Sequence, residues 1–292
     1  MSVALALGTA LLLTATAVLF AAGPAHAGAT PPTGADLRAG GRPGGDPVTS
    51  TVELRNGEVY GVGMPVVLKF GAPVPAGTKT EVERRLSVRS DPPQVGAWRW
   101  HSDDQVIYRP RDHWRPGTRL TVRSEIGGVA APGGRHFDTD RTITATIGRR
   151  TTFKITNATK QMQVFRDDKL VKTFPVSLGA PQTPTSSGNM LIMSRESRAF
   201  WVYSDRDSLD VRYAERLTAD GEYIHAAPWS VDDQGRNNVS HGCTNLSTEN
   251  AEWVYRNSQV GDPVTVTGTE KRLAPGNGWT VWDMSWADYT RQ

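Results

Sequence analysis

The chain of 292 residues has one cysteine, Cys243, so it cannot close a disulfide on itself, and a cysteine-rich zinc fold is excluded. Neither sign of charge is in real excess: 33 Lys and Arg stand against 30 Asp and Glu, a formal net charge of +3. Nearly all of that surplus falls in the first half of the chain, and it is too mild to imply a nucleic-acid partner. One long apolar run is present, from Val3 to about Ala22, and no Lys or Arg precedes it. The small-residue pattern Ala25-His26-Ala27 comes next, so residues 1–27 are expected to be a signal peptide cut after Ala27. The run is also long enough to span a bilayer, and an uncleaved anchor, the sole membrane contact in that case, is the alternative. No cysteine lies near the cut, which rules out a lipoprotein anchor. Residues 28–48 are mostly Gly, Pro, Thr and Ala with almost nothing to bury, and they read as a flexible tether. On either reading of the start, the rest of the chain is expected outside the cytoplasm.

Short β-type runs dominate the chain beyond the tether. Over residues 49–148 the clearest are Val66–Phe70, Gln105–Tyr108, Arg119–Val122 and Thr142–Ile147, punctuated by Pro92-Pro93, Pro110, Pro116-Gly117 and Pro132-Gly133. Several short strands at this spacing, with tryptophans to fill a core, predict a small antiparallel sandwich. His101, His113 and His136 lie near aspartates there but form no catalytic constellation, and they read as surface or packing residues. From residue 149 to 268 the pattern is again β, with Asp167-Asp168 set between two alternating runs as a hairpin turn. Ser197 to Gly221 is polar with Trp201, Tyr203 and Tyr213 interleaved, and Ser247 opens a run of helix formers.

The chemistry is concentrated between Ile224 and Leu246: Ile-His225-Ala-Ala-Pro-Trp-Ser, a polar loop, then Ser240-His241-Gly242-Cys243-Thr-Asn245-Leu. Cysteine is the most nucleophilic side chain near neutral pH, but only as the thiolate. An imidazole within reach can take its proton and return it to a leaving amine. Gly242 lets the backbone approach a carbonyl, and the Gly242 and Cys243 amides could face a developing oxyanion. Three other readings stand beside acyl transfer: an inert buried thiol, a zinc set of His225, His241 and Cys243 without the close ligand pairs of structural sites, and a silent site that only binds glycan or peptide.

His225, a spacer of mid-teens length, Ser240-His241-Gly242-Cys243 and Asn245 resemble the signature of the L,D-transpeptidases, and Ile-His-Ala-Ala-Pro-Trp-Ser resembles its actinobacterial branch. Ala97-Trp98-Arg99-Trp100 and Tyr108 to Trp114 resemble the immunoglobulin-like domain that precedes the catalytic domain in that branch. The resemblance implies a mostly β fold: an immunoglobulin-like sandwich, a mixed-sheet catalytic domain with a short helix, and a tryptophan-bearing C-terminal extension, residues 269–292, packed back on the catalytic domain. A wall-binding patch is the alternative for that extension. It implies Cys243 as nucleophile and His225 as base, oriented by the carbonyl of its neighbour, Ala226. His241 shapes the site or exchanges roles with His225, and Asn245, Asp220, Gly221 and Ser240 contact the donor peptide. A lid tyrosine would also contact substrate, Tyr203 and Tyr213 being the nearest. The implied reaction is peptidoglycan cross-linking. Cys243 forms a thioester with the diaminopimelate of a donor tetrapeptide stem, D-alanine leaves, and an acceptor amine takes the acyl group. No metal or organic cofactor is implied, and carbapenem β-lactams are the implied inhibitors. Carboxypeptidase action or attachment of a protein to the wall remain alternatives for the same site. A working thiol of this kind would be alkylated faster than free cysteine at mildly acidic pH, and the helix after it would favour the thiolate if it started close by.

Overall fold

The computed structural model describes residues 45–202 and 208–291. The expected signal peptide, most of the tether and Tyr203 lie outside the described residues.

The first unit is the expected sandwich. One sheet orders Ser50–Val52, Val66–Phe70, Gln105–Pro110 and Gly96–Ser102; the other orders Val59–Tyr60, Arg141–Ile147, Arg119–Ser124 and Leu86–Asp91. Alternation drives the pairing: in Arg119–Ser124, Leu120, Val122 and Ser124 point inward while Arg119 and Arg123 stay in water. Trp114 is fully buried between the sheets, its indole N–H donating to the Met64 carbonyl at 2.7 Å. One element departs from the sequence reading, the helix Ala76–Arg84. Gly77, Thr78 and Thr80 are poor helix formers and only Val82 is buried, so neither propensity nor periodicity announces it.

The second unit has two sheets. A six-stranded one orders Lys169–Pro175, Gln161–Arg166, Thr151–Thr156, Pro263–Thr267, Ser186–Leu191 and Lys271–Arg272. Asp167 and Asp168 both adopt positive φ (50° and 63°), as a tight hairpin turn whose twist matches its strands requires. A four-stranded sheet orders Ser194–Val202, Ser208–Arg216, Tyr223–Ala226 and Thr244–Leu246, the last two parallel. Its first two strands make a long hairpin out of what reads in sequence as a polar lid. Arg198 pairs with Asp210 across it, and charge on its faces hides the strand alternation. Between the sheets lies a core of Phe153, Ile155, Val164, Ile224, Leu246 and Val254. The helix Thr248–Asn257 supplies Val254 and is capped by Ser247, whose hydroxyl accepts the Asn250 amide at 3.2 Å.

The two units are joined backbone to backbone. The Gly61 amide donates to the Val260 carbonyl (2.8 Å) and the Gly63 amide to Gly261 (2.9 Å). A Cβ on Gly61 would lie 2.3 Å from the Asp262 amide nitrogen, so only glycine permits this approach. The C-terminal segment tightens the joint, and it packs on both units rather than on the second alone. Trp279, Val281 and Tyr289 join the core of the immunoglobulin-like unit, to which Leu191 of the second unit also belongs, while Leu273 is buried in the core of the second unit. Trp282 donates to Gly63 (2.7 Å), Tyr289 to the Ile107 carbonyl (2.7 Å), and the Arg99 guanidinium gathers the carbonyls of Asp288, Tyr289 and Arg291. Towards the second unit, Asp283 accepts the Asn189 amide at 2.9 Å, Asn277 accepts the Asp220 amide at 3.0 Å, and Lys271–Arg272 pair with the strand Ser186–Leu191. The segment is a strap between units.

Candidate active site

Parallel pairing of Tyr223–Ala226 with Thr244–Leu246 sets His225 opposite Asn245. Ile224, Ala226 and Leu246 point into the core, so His225 and Asn245 project from the other face. Cys243 immediately precedes Thr244, and continuing the register puts it opposite Tyr223, on the same face as His225. Diagonal neighbours on adjacent parallel strands have Cα atoms about 8 Å apart, a gap that an imidazole and a thiol together can bridge.

His225 is 3% exposed, and its Nδ1 lies 2.9 Å from the Ala226 carbonyl. A carbonyl only accepts, so Nδ1 carries the hydrogen and Nε2 keeps its lone pair. Burial holds the imidazole neutral, pushing its pKa down to about 4, with the Ala226 hydrogen bond acting the other way. Trp201 meets the ring edge-on at 5.0 Å, and Trp229 lies 6.1 Å away on the turn Pro228–Ser230.

The Cys243 thiol is pushed up to about 11. Burial is the main cause, the Tyr223 backbone hydrogen bond opposes it, and the charge of Glu222 adds to it. Its Sγ–H donates to the Gly221 carbonyl at 3.8 Å. At rest the site therefore holds a neutral thiol and a neutral imidazole, and the condition under which the following helix would favour the thiolate is not met. That helix begins only at Thr248, beyond the strand Thr244–Leu246, and a helix-end effect fades within one turn. Easy alkylation at mildly acidic pH is not expected of such a thiol.

The turn that carries Cys243 is held internally. Ser240, 6% exposed, donates its hydroxyl to the Cys243 carbonyl (2.6 Å) and accepts the Gly242 amide (3.1 Å). Ser240 is thus a staple of the turn, and the Gly242 amide is already engaged. That leaves the Cys243 amide, among the described residues, to face an oxyanion. Gly242 has φ 126°, a conformation glycine tolerates and other residues resist. His241 is exposed, and the three proposed zinc ligands do not converge: among the described residues no group of three or more His, Cys, Asp or Glu could hold a metal ion.

Asn245 donates to Ser230 at 3.0 Å and keeps a buried, unpartnered Oδ1. Gly221 (φ 102°) supplies the carbonyl at the thiol, and Asp220 accepts from Thr218 (2.6 Å) with Lys271 3.5 Å away. Tyr213 packs on the core and on Tyr255, at 5.7 Å. Three neighbours of the site carry no family signature and go unnoticed in the sequence: Glu222, Lys271 and Ser186. Glu222 is 5% exposed, and its carboxylate accepts from the Ser186 amide (3.0 and 3.1 Å), the Ser186 hydroxyl (2.8 Å) and Lys271 (2.7 Å). An acidic residue immediately before the strand that carries His225 was the available signal.

Residues 150–266 match the family described as L,D-transpeptidase catalytic domain, and residues 44–130 match the bacterial Ig domain. L,D-transpeptidase 1 of Mycobacterium tuberculosis is 36% identical over 233 residues, covering 76% of this chain and 86% of that protein. The chain belongs to the L,D-transpeptidase family. L,D-transpeptidase 5 of the same organism is 34% identical over 82% of this chain, which spans only 54% of that relative's length. Among solved L,D-transpeptidases, one in complex with imipenem superposes with a TM-score of 0.63 at 32% identity, covering 76% of this chain and 99% of its own. L,D-transpeptidase 3 of M. tuberculosis, with a faropenem-derived adduct, gives 0.60 at 28% identity over 76% and 98%. The L,D-transpeptidase match of residues 150–266 contains His225 and Cys243 but stops short of Lys271.

Proposed function

We propose that this chain cross-links peptidoglycan as an L,D-transpeptidase, with diaminopimelate-containing stem peptides as donor and acceptor. The observation that carries the reading is the His225 Nδ1–Ala226 carbonyl contact of 2.9 Å, which leaves Nε2 as a free base on the face that bears Cys243. Because thiol and imidazole rest neutral, the proton moves only as the bond forms. Sγ adds to the carbonyl of the donor's third residue while its proton passes to Nε2. The oxyanion meets the Cys243 amide. Collapse breaks the amide bond, and D-alanine leaves with the proton from Nε2. The acceptor amine then adds to the thioester, gives its proton to Nε2, and the released sulfur takes that proton back. Asn245 Oδ1 is an acceptor for a donor N–H.

The same attack opens a strained β-lactam, so a carbapenem acylates Cys243. Export through residues 1–27, with cleavage after Ala27, delivers the enzyme to the cell wall. The test is intact-mass analysis after incubation with a carbapenem. The chain gains one adduct, Cys243→Ala gains none, and an adduct on Cys243→Ala would remove Cys243 from the role.

A further inference from the structure

The acyl-transfer steps do not use the most deeply held charge beside the thiol. Asp220, Gly221, Glu222 and Tyr223 run directly past Cys243: the Gly221 carbonyl accepts its Sγ–H, and Glu222 lies behind the nucleophile turn. A Cβ built on Gly242 would sit 3.7 Å from Glu222 Cγ and 4.0 Å from Oε1. The carboxylate is fixed by both donors of Ser186, on the strand Ser186–Leu191, and by Lys271, on the strand Lys271–Arg272. Lys271 also faces Asp220 at 3.5 Å, so two carboxylates share one ammonium and the cluster carries a net charge of one minus. Tyr223, with the Arg216 guanidinium 5.6 Å from its ring, His225 and the exposed His241 are the other ionisable side chains around the thiol among the described residues, and neither histidine bonds to the cluster.

We propose that Glu222 and Lys271 are a positioning pair that keeps Cys243 protonated until substrate arrives, Glu222 holding the proton on sulfur and Lys271 limiting how strongly it does so. The inference rests on the cysteine-nucleophile reading. Its consequence is a nucleophile protected from oxidants and small electrophiles, because these attack the thiolate. The carbonyl of a bound substrate can still draw the proton onto His225. Charge on Glu222 acts strongly here because its carboxylate is buried and held by hydrogen bonds, whereas Lys271, over a third exposed, compensates it only in part.

The pair makes opposite demands on two substitutions, which a merely structural role would not. Glu222→Gln removes the negative charge and keeps the shape, so more of the thiol ionises. Lys271→Met leaves the carboxylate uncompensated, so less does. Iodoacetamide alkylation of Cys243, followed by mass at several pH values between 7 and 9, reads this directly. Each tenfold change in thiolate is offset by lower or higher intrinsic nucleophilicity, leaving about a threefold change in rate. The expected result is alkylation about three-fold or more faster for Glu222→Gln and slower for Lys271→Met, with Lys271→Arg restored towards the parent rate. Ser186→Ala, which removes a hydroxyl but no charge, serves as the structural control and moves the rate less than either. Rates that shift in the same direction for Glu222→Gln and Lys271→Met, or do not shift, overturn the proposal. Should Glu222→Gln fail to fold, the Lys271→Met and Lys271→Arg pair still decides it, since loss without recovery by arginine counts against the charge. Carbapenem acylation of the unaltered protein is run alongside. Its failure would sink the transpeptidase reading while leaving the alkylation comparison intact.

Discussion

Tyr289→Ala probes how the C-terminal strap holds the two units together. The ring is fully buried in the core of the immunoglobulin-like unit, its hydroxyl donates to the Ile107 carbonyl at 2.7 Å, and its face covers the Arg109 guanidinium at 4.4 Å. Truncating a buried aromatic to alanine costs about 3–5 kcal/mol. Arg109, itself 2% exposed, also loses one of the three rings that box it, the others being Trp282 and Trp286. For the two units melting together, each kcal/mol moves the melting temperature by about 2–4 °C, so a fall of about 10 °C is expected. Tyr289→Phe keeps the ring and removes only the hydroxyl that bonds the Ile107 carbonyl, which costs about 1 kcal/mol, or about 3 °C. Differential scanning calorimetry of the three proteins measures both steps. A shift below about 2 °C for Tyr289→Ala, with weaker sedimentation on purified peptidoglycan, would refute the strap and favour a wall-binding tail.

His225→Gln should cut carbapenem acylation by on the order of a hundredfold or more, the usual loss for a positioned base; His241→Ala, at an exposed residue, should stay within a few-fold, and the reverse order would exchange their roles. Burial depresses the His225 pKa to about 4 from an ordinary 6.5, so the unfolded chain takes up that proton first as pH falls. The stability tied to a neutral His225 is complete above pH 6.5 and is lost progressively as pH falls through 4, to the extent of roughly 3 kcal/mol. His225→Gln should therefore shrink the difference in urea-unfolding free energy between pH 7 and pH 4 by that amount, and an undiminished difference would contradict it. A fragment beginning at Arg149 leaves Trp279, Val281 and Tyr289 without their core, so it should aggregate or melt well below the whole chain; a monomeric fragment with unchanged melting would show the strap to be dispensable.

Local chemistry was legible wherever a residue type answers a backbone need. Ser247 caps the helix and Asp167-Asp168 take the positive φ values of a hairpin turn, both as read from sequence. The spacing of His225 and Cys243 becomes intelligible once two parallel strands put both side chains on one face. What escaped depends on partners far away in sequence. Nothing near Glu222 announces Lys271 or Ser186, and nothing near Tyr289 announces Ile107. The acidity of the thiol escaped for the same reason: burial is a property of the assembled site and outweighs the helix that comes next in sequence. Ser240 shows a subtler limit, because a hydroxyl next to a nucleophile serves substrate or scaffold equally well until its two hydrogen bonds are seen.

The most direct measurement of the proposed function is mass analysis of the products formed when the purified protein is incubated with a disaccharide-tetrapeptide bearing diaminopimelate. The expected product is a dimer lacking one D-alanine, absent with Cys243→Ala. Monomeric tripeptide alone would make the enzyme a carboxypeptidase, and unchanged substrate would contradict the acyl-transfer reading altogether.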